Sequence, residues 1–217
     1  MKVGVLGTGM VGRAIATKLV AVGHETMMGS RTPDNEAASV WVAETGASAS
    51  HGTFAEAAAF GALIVNCTAG SASIDALALA GAEALAGKVV LDLANPLDHS
   101  AGFPPTLFVS NTDSLGERIQ RAFPDAKVVK SLNTMNCDVM VAPTLVPGDH
   151  VVFVSGDDAG AKAEVTSLLE SFGWPPDRVV DLGGIETARG PEQYLPLWLR
   201  LYGALGTGTF NIAISRA

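Results

Sequence analysis

Over the first two-thirds of the chain, short β-branched runs alternate with longer stretches whose apolar residues recur at helical spacing. The pattern predicts strands over 3–6, 25–28, 48–51, 63–67 and 88–93. Helices are predicted between them over 10–22, 35–44, 54–59 and 73–85. Continuous apolar runs such as ALIVNC and KVVLDL suit strands covered on both faces. After Asn95-Pro96 the pattern loosens, and Phe103-Pro104-Pro105 reads as loop. Ser114-Leu115-Gly116-Glu117 matches a capping box opening a helix to about 122. Strands follow at 127–132, 150–155 and 178–181, with a helix over 159–172, and 192–214 reads as helical with glycine breaks. This alternation predicts an α/β fold, a Rossmann-type doubly wound, mostly parallel sheet with a small C-terminal α/β lobe. The expected division is a dinucleotide-binding domain over 1–146 and a small lobe over 147–217, with the seam in 143–148.

Composition narrows the partners. Lysines and arginines number 14 against 22 aspartates and glutamates, a net charge of −8, which excludes the footprint of a general nucleic-acid binder and disfavours anionic membranes. Hydrophobic residues make up 48% and charged residues 17%, enough apolar surface to offset chain entropy and exclude disorder as the main state. Cys67 and Cys137 stand far apart beside strand-like runs and read as reduced thiols of a cytoplasmic protein. The four histidines lack metal-ligand spacing, so no metal site is expected. The start, MKVGVLGTGMVG, has no signal-peptide pattern, and no apolar run is long enough for a spanning helix.

The strongest motif is Gly7-Thr8-Gly9-Met10-Val11-Gly12, which follows a predicted strand and opens a predicted helix. That context makes a GxGxxG pattern informative. Gly7 serves the tight turn, Gly9 lets backbone approach a pyrophosphate, and Gly12 lets helix pack on strand. The helix N-terminus offers free N–H groups and partial positive charge to the phosphates. An NAD site sets a carboxylate at the end of the second strand. Here that strand ends in Gly29-Ser30-Arg31. A hydroxyl and a guanidinium suit a 2′-phosphate, so NADP(H) is expected rather than NAD(H), with Thr8 beside it. Ligands lie beyond the carboxyl ends of parallel strands. Thr68, Ala69 and Asn95 are therefore expected near the pyrophosphate or nicotinamide ribose. Asn133, Thr134, Met135 and Asn136 are expected near the nicotinamide and the substrate. Each asparagine taken singly reads equally well as a cap or turn residue.

These stretches, together with KVVKSLNT at 127–134, VFVSGDD at 152–158 and the tail PLWLRLYGALGTGTFN, resemble one family along nearly the whole chain. It is the family of NADPH-dependent coenzyme F420 reductases (F420H2:NADP oxidoreductases) and their relatives, including the oxidoreductase domain of membrane ferric reductases. The resemblance implies hydride transfer between nicotinamide C4 and a deazaflavin (F420) or flavin such as FMN, in a cleft between the two lobes of a homodimer. It further implies that Thr8, Ser30 and Arg31 hold the 2′-phosphate and that 133–136 face the ring. Archaeal members carry His-Thr-Ile-Pro where this chain has Asn133-Thr134-Met135-Asn136, and a Trp-Glu-His-like stretch where it has Ala69-Gly70-Ser71-Ala72. Hydride transfer between rings needs no dedicated acid or base, so no catalytic side chain is assigned. Two other readings stay open on the residues alone: an NADP(H)-dependent reductase of a small carbonyl or imine, and an NADP-binding redox-sensing module without turnover.

Overall fold

The computed structural model describes residues 1–215. Its strands are β1 (Lys2–Leu6), β2 (Glu25–Ser30), β3 (Ala49–Thr53), β4 (Leu63–Asn66), β5 (Val89–Asp92), β6 (Leu97–Asp98), β7 (Thr106–Leu107), β8 (Lys127–Ser131), β9 (Val152–Ser155) and β10 (Val179–Gly183). Eight of them form one sheet in the order β10-β9-β8-β5-β4-β1-β2-β3, while β6 and β7 form a separate antiparallel hairpin. Every pairing in the large sheet is parallel except β8 with β9. β9 and β10, which come from the C-terminal segment, extend the same sheet beyond β8. The chain order reverses between β1 and β4, so a crevice opens at their carboxyl ends.

The helices are α1 (Met10–Ala21), α2 (Glu36–Thr45), α3 (Phe54–Phe60), α4 (Ser73–Ala80), α5 (Ala82–Leu85), α6 (Leu115–Ala122), α7 (Cys137–Val141), α8 (Ala159–Phe172), α9 (Arg189–Gln193) and α10 (Leu195–Leu205). α1 buries Gly12, Ile15, Ala16 and Leu19, the i, i+3, i+4, i+7 face that its apolar spacing dictates. Alternate strand residues serve two separate cores. Val3, Val5, Val65, Leu91 and Val129 meet Ile15, Trp41 and Phe172 on one face of the sheet. Leu6, Ile64, Val90 and Val128 meet Leu77 and Ile119 on the other. Both faces are covered, which is why the central strands read as continuous apolar runs.

Several local expectations change. The helix expected over 73–85 breaks into α4 and α5 because Gly81 takes a left-handed φ of 94°. The helical tail stops at Leu205, where Gly206 has φ 66°. Beyond it the chain runs back along β9's start, with Val151 N–H donating to Ile212 O at 3.0 Å or less (2.9 Å). Tertiary hydrogen bonds there replace the helical ones. The loop after Pro96 contains the β6–β7 hairpin. Ser114 caps α6 by accepting from Glu117 N–H at 3.1 Å, but Glu117 does not return the capping-box bond to the backbone. Its carboxylate receives the Arg189 guanidinium instead. The complete capping box is Thr53 with Glu56, at the start of α3. No helix among the described residues is long and apolar enough to cross a membrane.

Candidate functional site

The three motif glycines are held by different constraints. Gly7 has φ 116°, and a Cβ on it would lie 2.8 Å from the Cys67 carbonyl oxygen. A Cβ on Gly12 would lie 2.0 Å from the Gly7 carbonyl oxygen. Those two glycines are required by the fold itself. Gly9 is not: it is extended at φ −77°, ψ −173°, and its Cβ would meet nothing within 4 Å. Space is therefore kept open above Gly9, at the N-cap of α1. That helix has no side-chain cap and no acidic residue in its first turn. Its first amide to find a main-chain carbonyl is Arg13, bonded to Gly9 O at 2.9 Å. The amides of Met10, Val11 and Gly12 before it find no main-chain carbonyl among the described residues, the arrangement that leaves a helix start able to bind an anion. Thr8 is half-buried in the loop, Val11 lines the floor, and Met10 stands 81% exposed at the mouth.

At the end of β2, Ser30 is buried and its hydroxyl donates to the Thr32 carbonyl. Arg31 is exposed and forms no ion pair among the described residues. Arg13, the other cation near the loop, is tied to Glu44 at 3.0 Å. The strand end thus presents one uncommitted guanidinium.

Between the start of α1 and the ends of β4 and β5 lies a cavity of about 210 Å³. Val11, Thr68, Ala69, Leu93 and Asn95 line it. Gly70, Ser71, Leu97 and His99 are shared with a larger groove of about 660 Å³, walled by Ile74, Phe108 and Leu115. Gly70 is needed here, since a Cβ on it would lie 1.9 Å from Asn95 O. Burial first, and the Asp92 carboxylate second, push the Cys67 thiol up, so Cys67 stays protonated and inert.

Not every expected residue opens onto this cleft. Asn95 and Asn133 exchange hydrogen bonds: Asn95 Nδ2 donates to Asn133 O and Asn133 Nδ2 to Asn95 Oδ1, each at 2.9 Å. Asn133, Thr134 and Met135 are buried, Met135 within the core on the α1 face. Asn136 is half-buried and caps α7, accepting from Asp138 N–H at 2.8 Å. Leu132, just before this segment, takes φ 63°. A left-handed leucine costs about 1–2 kcal/mol, strain of the kind that clusters at functional sites. Sequence reasoning assigned no site role of their own to Gly70, Ser71, Leu97 or His99. The first two belong to the turn after β4 that the strand-end rule already marked. Leu97 and His99 enter through a hairpin for which the chain carried no strand signal.

Comparison with known proteins decides the family. The model of the family described as NADP oxidoreductase, coenzyme F420-dependent, matches residues 2–96. A crystal structure from Arthrobacter sp. FB24, of a candidate F420-dependent NADP reductase, is 54% identical over 100% of both chains, with a TM-score of 0.94. This chain belongs to the F420-dependent NADP oxidoreductase family. The F420-dependent NADP reductase of Methanothermobacter marburgensis is 28% identical over 213 residues, 93% of this chain and 92% of its own. Metalloreductase STEAP3 of Rattus norvegicus is 28% identical over 201 residues, which cover 91% of this chain but 38% of that longer protein. The family is one of NADP-dependent oxidoreductases. Its cofactor fits the residues present: the open space above Gly9 admits a pyrophosphate, and the free Arg31 suits a 2′-phosphate.

Proposed function

We propose that this NADP-dependent oxidoreductase transfers hydride between NADP(H) and a deazaflavin (F420) or a flavin-type ring such as FMN. The observation that carries the reading is the pairing of an uncapped α1 N-terminus, open above Gly9, with an uncommitted Arg31 at the end of β2. The chemistry that NADPH supplies when bound is the hydride at nicotinamide C4, which the acceptor ring takes up with one proton from water. In this reading the amides of Gly9, Met10 and Val11 hold the pyrophosphate. The Ser30 hydroxyl hydrogen is spent on Thr32 O, so Ser30 fixes the turn and Arg31, with Thr8, supplies donors to the 2′-phosphate. Thr68, Ala69 and Asn95 form the floor on the nicotinamide side. Asn133 orients Asn95, while Thr134, Met135 and Asn136 back the wall toward α7. The adjoining groove, with Ile74, Leu97 and Phe108, gives a planar acceptor an apolar seat.

The same reading places the protein in the cytoplasm as a homodimer, with residues 147–217 carrying the dimer face. α10 buries Leu195 alone and leaves Leu197, Tyr202 and Leu205 exposed, an apolar face suited to a second copy. The deciding experiment mixes the protein anaerobically with NADPH and, in turn, F420, FMN, FAD, a small ketone and a cyclic imine, following the nicotinamide absorbance. Loss of absorbance with a ring acceptor is expected. Turnover with the ketone or imine alone would reassign the acceptor. NADPH binding without turnover on any of them would make the protein a sensing module.

A further inference from the structure

A buried ionic cluster lies directly beneath the cleft floor. Lys130 on β8 is fully buried, with Nζ 2.5 Å from Asp92 Oδ2, 2.9 Å from Glu192 Oε1 and 2.6 Å from the Ala94 carbonyl oxygen. Glu192, from α9, accepts the first two amides of α6, Leu115 N–H at 2.7 Å and Gly116 N–H at 2.9 Å. Both carboxylates meet donors alone. Their Coulombic attraction more than offsets burial and holds the Lys130 ammonium above the ordinary lysine range. Three buried charges are a poor way to gain stability, since well-packed apolar residues usually do as well or better. Their hydrogen bonds lead to the cleft.

Asp92 Oδ1 accepts from Asn66 Nδ2 at 2.8 Å and from Ala94 N–H at 3.1 Å. The second hydrogen of Asn66 Nδ2 goes to Ser73 Oγ at 3.1 Å. Asn66 Oδ1 therefore turns to Thr68, accepting its hydroxyl at 2.7 Å and its N–H at 3.3 Å. Reversing the Asn66 amide would set oxygen against the Asp92 carboxylate and N–H against the Thr68 N–H. The orientation is locked from both ends. With its hydrogen directed at Asn66, Thr68 has none to offer the cleft. Ser73 Oγ, 2.9 Å from Thr68 Oγ1, occupies at most one lone pair.

We infer that Lys130 is a positioning residue which, through Asp92 and Asn66, makes Thr68 an acceptor-only contact for a hydroxyl on the nicotinamide half of the cofactor. This rests on the proposed NADP(H) site. Lys130 itself reaches no ligand. Its ammonium holds the Asp92 carboxylate in place, and Asp92 fixes the amide that aims the Thr68 hydroxyl.

The test is calorimetric titration with two probes, NADPH and 2′,5′-ADP, the second carrying the adenosine half alone. Thr68→Val is expected to weaken NADPH about tenfold and Thr68→Ser less than twofold, with 2′,5′-ADP unchanged in both. The charge-balanced pair Lys130→Met with Asp92→Leu removes the lock and leaves Glu192 on the α6 amides. It is expected to weaken NADPH by a factor similar to Thr68→Val, at unchanged 2′,5′-ADP affinity. Adding Thr68→Val to that pair should cost less than twofold more. Unchanged NADPH affinity in Thr68→Val overturns the inference whether or not the hub variant folds. So does a Thr68→Ser loss as large as that of Thr68→Val, or losses that multiply when the variants are combined. A wild-type protein that binds neither probe removes the underlying site reading; one that binds both while Thr68→Val changes nothing removes this inference alone.

Discussion

Gly9→Val separates what the glycine loop does for the fold from what it does for a ligand. Gly9 has ordinary extended dihedrals and open space where a side chain would go. The new side chain restricts the unfolded chain, which stabilises by about 0.4–1 kcal/mol for substitutions of this kind. Losing glycine at a helix N-cap costs about the same, on the order of 1 kcal/mol. The apoprotein should therefore keep its stability to within about 1 kcal/mol. Binding should collapse, because the isopropyl group occupies the space a pyrophosphate needs over the α1 amides. Two hydrogen bonds to a charged group contribute about 1.5–3 kcal/mol each, so at least about 3 kcal/mol is lost, or about a hundredfold in Kd. Thermal denaturation with NADPH at about a hundred times the wild-type Kd reads this directly: about 2.7 kcal/mol of ligand stabilisation in the wild type against about 0.4 kcal/mol in the variant. Gly12→Ala is the control. Its Cβ would sit 2.0 Å from Gly7 O, so the apoprotein itself should lose about 1–3 kcal/mol. The reasoning fails if Gly9→Val binds NADPH as the wild type does, or if its apoprotein is destabilised as much as Gly12→Ala.

Three further outcomes are expected. Arg31→Ala should weaken NADPH by about 1.5–3 kcal/mol and leave NADH nearly unchanged, measured by titration of both; equal losses would show that Arg31 does not read the phosphate. Gly70→Ala sets a Cβ 1.9 Å from Asn95 O, a clash of backbone with backbone. It should lower stability by about 1–3 kcal/mol and weaken the nicotinamide half, with 2′,5′-ADP affinity kept. The Arg189 guanidinium, first among its partners, holds the Glu117 carboxyl below the usual carboxylate range. A depressed folded-state value contributes stability above the unfolded value that is lost as pH falls through the folded one. Glu117→Gln should therefore lower the melting temperature at neutral pH, and the gap to wild type should close on acidification below the ordinary carboxylate range. A gap that stays constant with pH would remove the ion pair from the account.

The chain alone determined the parts of this protein that depend on neighbours in sequence. Alternating apolar runs set β1 to β5 and their helices, because strand and helix periods are local properties of the backbone. The glycine loop, and the absence of an acid at the end of β2, were equally plain. Each is a short segment whose stereochemistry or charge acts where it stands. Tertiary structure decided the rest. Asn133 reads as a ring-facing residue until β5 and β8 come side by side and its amide is spent on Asn95. Lys130 reads as one polar residue in a strand until Asp92 and Glu192 close on it from distant segments. Hydrogen bonds and ion pairs depend on which strand ends meet, and that is settled by the order of the sheet, which no local pattern encodes.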